Sequence, residues 1–203
     1  MLAEHRAALE MLCAAQRYRD PFTCKHEDRV ADLASAIAIR MDLSSTRVEC
    51  LRFAAIVHDI GKIGVPTEIV GKAGTLTEPE YALMKTHCVI GYEILSHLRS
   101  RLPIADIAAQ HHERIDGSGY PHALAGNNII LEARILAVAD IFDAMTSHRA
   151  YRAALPEDFV LAELKTMAGR TLDPGAVDAC CVHILARPAA HAPAAVGGHS
   201  TSA

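Results

Sequence analysis

The sequence holds no tryptophan, and aromatic residues make up only 4% of its 203 positions. Sheets draw on aromatic and β-branched side chains, so this scarcity speaks against a β-sandwich. With 51% of the chain apolar and Ala, Leu and Ile dominant, a helical core is expected. Positive charge is not in excess. A net charge of −4 excludes the broad basic face of a nucleic-acid-polymer binder, though a few arginines could still hold a small anion. No C-x-x-C pair occurs among Cys13, Cys24, Cys50, Cys88, Cys180 and Cys181. A chain of this length needs no disulfide staples, so the six are read as reduced, small apolar residues. No apolar run approaches the roughly 18 residues of a membrane span. The opening MLAEHRAALEML carries charge from its fourth residue, unlike a secretory leader. A cytoplasmic chain without membrane partners is expected. There is no internal repeat, no Walker-type phosphate loop and no Ser-His-Asp elbow.

What is present is helical periodicity. Val30, Leu33, Ala34, Ile37, Ala38 and Met41 recur at three- and four-residue spacing and predict a helix over about 24–41. A second is expected from Thr46, four-residue capping box with Glu49, to about 58. Thr77-Glu78-Pro79-Glu80 offers another box, opening a helix that carries Leu83, Met84, Ile90, Ile94, Leu95 and Leu98. Further helices are predicted at about 103–113, 131–147, 156–168 and 174–186, the last capped by Asp173-Pro174. Glycine and proline break the pattern at 60–76 and 113–130, and long loops inside compact domains are often functional. The reading is all-α, one domain of about seven to eight helices, consistent with the chain length. Residues 1–18 are read as a connector helix, 19–187 as the catalytic unit and 188–203 as a disordered tail.

Histidines and aspartates fall on the inward faces of those helices. His26 precedes Val30 by four residues; His58 and Asp59 follow Leu51 and Ala55; His87 follows Leu83 by four. His111 and His112 lie four after Ile107 and Ala108, and Asp140 four after Leu136. Inward imidazoles and carboxylates are costly unless paired or coordinated. Singly, an inward His is more often a hydrogen-bonded core group and an inward Asp a cap or salt-bridge partner; seven on five helices point to one shared metal site. Imidazole and carboxylate without thiolate suit Mn, Fe, Ni, Zn or Co, and more than four ligands imply two ions. Paired ions about 3.5–4 Å apart can share a bridging hydroxide that attacks phosphorus, with both ions stabilising the displaced charge.

The stretch His58-Asp59-Ile60-Gly61-Lys62-Ile63-Gly64 resembles the signature of HD-domain phosphohydrolases. The segment from His111-His112-Glu113-Arg114 through Asp116-Gly117-Ser118-Gly119-Tyr120-Pro121 is more specific, and resembles the second signature of the HD-GYP family. His87 falls at that family's mid-chain histidine, and Ala139-Asp140-Ile141-Phe142-Asp143 resembles its late aspartate segment. The similar region runs from Arg19-Asp20-Pro21 to about residue 180.

The resemblance implies a helical domain enclosing a binuclear metal centre, Fe or Mn first, with Ni, Co or Zn as alternatives. It implies hydrolysis of cyclic di-GMP to linear pGpG, and on to GMP where the second bond is also cut. By position, His26, His58, Asp59, His87, His111, His112 and Asp140 would be the ligands, with Asp59 bridging. Lys62 would stabilise charge or protonate the leaving oxygen. Arg149, Arg152, Tyr120 and Gly119 would contact substrate, Gly117 would ease the loop's path, and Asp143 would support a ligand histidine. Phe22 stands where some family members carry a further acidic ligand, so two ions are expected rather than three. His122-Ala123 replace the family's Asp-Gly, and Asn127-Asn128-Ile129-Ile130 lack the usual acidic and proline character. These departures touch the pocket rim, not the ligand set. Other readings stay open: an HD hydrolase or di-iron oxygenase acting on another small substrate, or a cyclic-dinucleotide-binding signalling module with weak turnover. Partnership with other signalling proteins and a homodimer through the first helix are also open, the latter without a long heptad run to specify it.

Overall fold

The computed structural model describes residues 7, 8, 10–14, 23–148 and 153–187. Arg149 and Arg152, Phe22, most of the proposed 1–18 connector and the proposed 188–203 tail lie outside the described residues. The elements in order are α1 (Thr23–Arg40), α2 (Ser45–Val57), a 3-10 turn (Ile60–Gly64), α3 (Thr67–Val70), α4 (Glu78–Lys85) and α5 (His87–Ser96). They continue with α6 (Ile104–Gln110), a second 3-10 turn (Gly126–Asn128), α7 (Leu131–Thr146), α8 (Glu157–Met167) and α9 (Pro174–Leu185). Among the described residues there is no strand, only the isolated bridges Asp116–Ala125 and Ala168–Leu172.

Helices α1, α2, α6 and α7 each lie against the next, and α7 returns to α1, closing a four-helix ring. The apolar periodicity of α1 explains its place: Val30, Ala31, Ala34, Ile37 and Ala38 are completely buried. They meet Leu51 and Ala54 of α2, Ile107 of α6 and Leu136 of α7 in one continuous core. Helices α8 and α9 extend it through Val160, Leu164, Val177 and Cys180. Asp173 caps α9, accepting from Ala176 N–H at 3.0 Å, and also pairs with Arg134.

Several boundaries differ from the sequence-based expectations. Helix α2 starts at Ser45 with Ser44 as its N-cap, so Thr46 sits inside the first turn and cannot cap. The Thr77–Glu80 box does form: Thr77 N–H and hydroxyl both donate to the Glu80 carboxylate, at 2.7 and 2.8 Å. The single helix expected after it is two, because the Thr86 hydroxyl donates to Leu83 O at 2.7 Å and loosens the turn there. His87 thereby becomes the first residue of α5.

The expected loop at 60–76 holds a 3-10 turn and one helical turn. Gly61 explains the tightness. A Cβ there would lie 1.9 Å from His87 O and 2.5 Å from Gly91 N, so only glycine lets this turn press against α5. The 113–130 segment is organised by Glu113, which is almost fully buried and accepts from His122 N–H (2.7 Å) and Leu124 N–H (3.0 Å).

Candidate metal centre

Three histidines are placed by one device. A helix leaves the carbonyls of its last turn without backbone partners. His58, just past α2, turns Nδ1 to Ala55 O at 2.6 Å. His87, just past α4, does the same with Met84 O at 2.7 Å, and His111, just past α6, with Ala108 O at 2.5 Å. A carbonyl can only accept, so Nδ1 carries the proton in each ring. In a neutral imidazole that leaves Nε2 as a lone pair, aimed inward. The sequence reading put these donors on inward helix faces; the structure puts most of them at helix ends, where this device operates.

The fourth histidine is held from α1. His26 offers Nδ1 to Asp143 Oδ2 at 2.7 Å, and its Nε2 lies 3.2 Å from Asp140 Oδ1. Asp143 is itself gripped by Arg29, through Nε at 2.5 Å and Nη2 at 2.9 Å, and by the Ser147 hydroxyl. Asp59 stands between the histidines, with Oδ2 3.4 Å from His58 Nε2 and Oδ1 3.5 Å from His87 Nε2. The remaining side is closed by His112, whose ring lies 3.9 Å from that of His111 and stacks on Tyr120 at 4.7 Å.

The electrostatics follow from burial and charge together. Burial drives His112 down to about 3 and holds His87 and His111 below the usual imidazole range, so these rings are neutral donors at pH 7. Burial also opposes charge on His26, but its hydrogen bonds to Asp140 and Asp143 outweigh it and raise the pKa to about 9. For Asp59 burial again opposes ionisation; the Lys62 ammonium against it still holds the carboxyl well below its ordinary range. Asp140 is likewise lowered against burial, by His26 and His58. Lys62 Nζ sits 2.5 Å from Asp59 Oδ2 with about a third of its side chain exposed, between the ring of donors and solvent.

Two buried atoms test whether a metal fits. Asp59 Oδ1 and His111 Nε2 have no hydrogen-bond partner. Such an orphan costs about 1–3 kcal/mol, and more when charged, and a cation between the two would relieve both. The donors form overlapping triads, each with its ligand atoms within 4.8 Å of one another: His26–His58–Asp140, His58–Asp59–His111, His111–His112–Asp140 and His87–Cys88–His111. The donor set therefore fits divalent transition metals.

All seven residues expected as ligands are thus gathered in one place, with Asp143 outside them against His26, Lys62 on Asp59 and Tyr120 over His112. Gly119, expected at the substrate and on the tight path of the loop, packs on the backbone of Glu113 and Arg114, just after the doublet. A Cβ there would come within 2.4 Å of Glu113 Cα and Arg114 N. Gly117 has φ +80 and needs its freedom for that conformation. Sequence reasoning missed Arg29, Glu27, Glu113 and Cys88. Arg29 was readable as i+3 from His26, on the same helix face. Glu27 is buried, and burial with the charge of Asp59 raises its pKa to about 7. Glu113 follows the histidine doublet directly, but its role needs the loop to fold back.

A helical ring with His-Asp donors at its end defines an HD-type domain, and residues 10–175 match the HD-domain family. The cyclic di-GMP phosphodiesterase response regulator RpfG of Xanthomonas campestris pv. campestris is 46% identical over 176 residues, 86% of this chain and 47% of that protein. A cyclic di-GMP phosphodiesterase of Thermotoga maritima is 45% identical over 175 residues, covering 84% and 47%. The crystal structure of a cyclic GMP-AMP specific phosphodiesterase of Vibrio cholerae superposes with a TM-score of 0.61 at 32% identity, covering 92% of this chain and 42% of that one. The chain belongs to the HD-GYP family of HD-domain proteins. It spans about half the length of the curated relatives it matches. Among the described residues no helix is long and apolar enough to cross a membrane.

Proposed function

We propose that this chain is a metal-dependent phosphodiesterase that opens cyclic di-GMP to linear pGpG. The observation that carries the reading is the pair of orphaned, buried donor atoms, Asp59 Oδ1 and His111 Nε2, inside a ring of imidazoles and carboxylates. The identity to two cyclic di-GMP phosphodiesterases supplies the substrate. His26, His58, Asp59, His87, His111, His112 and Asp140 would hold two divalent ions, Fe or Mn first, with Asp59 central to both. Bound ions would supply Lewis acidity to the phosphodiester and lower the pKa of an attacking water.

The chain's own groups do the rest. Lys62 brings an ammonium to the edge of the donor ring, where it would stabilise charge on the phosphate and donate a proton to the departing ribose oxygen. Its bond to Asp59 fixes it there before substrate arrives. Asp143 and Arg29 hold the His26 ring in orientation. Tyr120, stacked on His112, would form one wall against the nucleotide. Arg149 and Arg152 are assigned to the substrate phosphates or bases by position in the chain.

A second substrate has support of its own, since cyclic GMP-AMP is named for the Vibrio structure that superposes at 32% identity. The two nucleotides share the scissile phosphodiester and differ in one base. Hydrolysis of both by the metal-loaded chain, with the Asp59→Ala variant alongside, tests the proposal. Product from cyclic di-GMP, absent in the variant, supports it. Metal without turnover of cyclic di-GMP overturns it, and product from cyclic GMP-AMP alone moves the assignment to the second substrate.

A further inference from the structure

Four buried cysteines are described outside the N-terminal segment, and one of them differs from the rest. Cys50, Cys180 and Cys181 lie in the apolar core and behave as small hydrophobes. Cys88 is equally buried, 1% exposed, but lies outside that core. Its Sγ is 3.5 Å from His87 Nε2. An ion about 2.3 Å from sulfur and about 2.1 Å from nitrogen in tetrahedral geometry separates the two donors by about 3.6 Å, so one ion could bridge this pair.

The third corner of the triad is already aimed inward. His111 Nε2 is buried and has no hydrogen-bond partner, and His111 forms a triad with His87 and Cys88 whose ligand atoms lie within 4.8 Å of one another. The position of the thiol is fixed from both sides. Met84 O orients the His87 ring, and Gly61 presses on the backbone of His87 and Gly91, holding the first turn of α5 against Asp59.

From this geometry we propose that Cys88 is a sulfur donor to the metal centre, completing a triad with His87 and His111. The inference rests on the metal-centre reading above. On ligation a metal–sulfur bond forms and the S–H bond breaks, its proton passing to solvent. The chemical consequence is a softer site at this end. A thiolate favours Zn, Co or Fe(II) over Mn, which prefers oxygen and nitrogen. The donor set is then mixed: imidazole and carboxylate around Asp140, imidazole and sulfur at α5.

The test is spectroscopic and needs no turnover. The full chain is loaded with Co(II), and its near-ultraviolet spectrum is compared with those of Cys88→Ser and, as a core control, Cys180→Ala. A sulfur-to-cobalt charge-transfer band in wild type and the control, lost in Cys88→Ser, is the expected result. Zinc binding in Cys88→Ser should weaken by about tenfold or more, the lower end for loss of a supporting group at such sites. X-ray absorption at the metal edge of the wild-type chain requires no variant, and should show a sulfur scatterer at about 2.3 Å. Bound metal with only nitrogen and oxygen neighbours overturns the assignment of Cys88 and leaves the centre standing. Failure of the chain to bind any divalent ion overturns the centre itself, and Cys88 with it.

Discussion

Around Ile37, Leu51 and Leu136 the helices meet through fully buried apolar side chains, whereas elsewhere on the same helices, or just past their ends, they meet through imidazoles and carboxylates. The change happens within single elements. Helix α2 buries Leu51, Ala54 and Ala55 and then delivers His58; α6 buries Ile104, Ile107 and Ala108 and then delivers His111. The apolar turns fix the positions of the helices, and the final turns display polar groups where free carbonyls can orient them. One interior is held by removal of surface from water, the other by hydrogen bonds, ion pairs and, on the proposal above, metal. The difference teaches that damage to the two should register in different measurements.

The largest effect is expected for Asp59→Ala, which removes the central carboxylate. Loss of a supporting partner costs 10–100-fold at metal sites, so loss of this group should lower hydrolysis by more than about a thousandfold and reduce metal content per chain. Steady-state kinetics with metal analysis checks this, and a variant retaining wild-type turnover would end the role assigned to Asp59. Next comes Leu164→Ala, in the apolar interior. Denaturant titration should show a loss of about 2–5 kcal/mol, with metal per folded chain unchanged. Metal lost in step with stability would show that the two interiors are not separable.

A smaller effect is expected for Asp143→Asn, which keeps an acceptor for His26 but removes the charge that Arg29 grips. Metal affinity should fall by about tenfold, and the metal-free chain should lose about 1–3 kcal/mol with the charged bonds to Arg29 and His26. Competition against a chromogenic chelator measures it, and an unchanged affinity would confine the Asp143–Arg29 pair to scaffolding. The smallest is Ala123→Gly. Ala123 has φ +53, a conformation that disfavours side chains, in the loop that Glu113 holds by its N–H groups at 122 and 124. Glycine there should stabilise the chain by about 1 kcal/mol. The clamp on the Glu113 carboxylate is made through backbone N–H groups at 122 and 124, so it does not depend on the side chains of His122 and Ala123.

The sequence was most legible where physics is local. The spacing of Val30, Ala34, Ile37 and Ala38 marks α1, and Thr77 and Asp173 mark helix starts through caps that form. The seven donor residues were readable by type and spacing, and they do converge. What was not legible depends on contacts made far along the chain. The break at Thr86 leaves the backbone nearly helical, φ −64 and ψ −18, and shows only in the bonds that Thr86 and His87 make to Leu83 O and Met84 O. The 3-10 turn after Asp59 rests on Gly61 meeting α5. Cys88 looks like any cysteine of a buried helix until α6 brings His111 to it.

The three histidines oriented by Ala55, Met84 and Ala108 have a consequence for how the protein matures. In small zinc domains the ion assembles its own ligands, and the chain without it is unfolded. Here the main chain fixes which nitrogen faces inward, and an apolar core holds the helices that carry it. On the metal-centre proposal, such a chain can finish folding first and take up ions afterwards. The ions it would then hold depend on supply as well as on the donors that meet them, and would exchange without refolding.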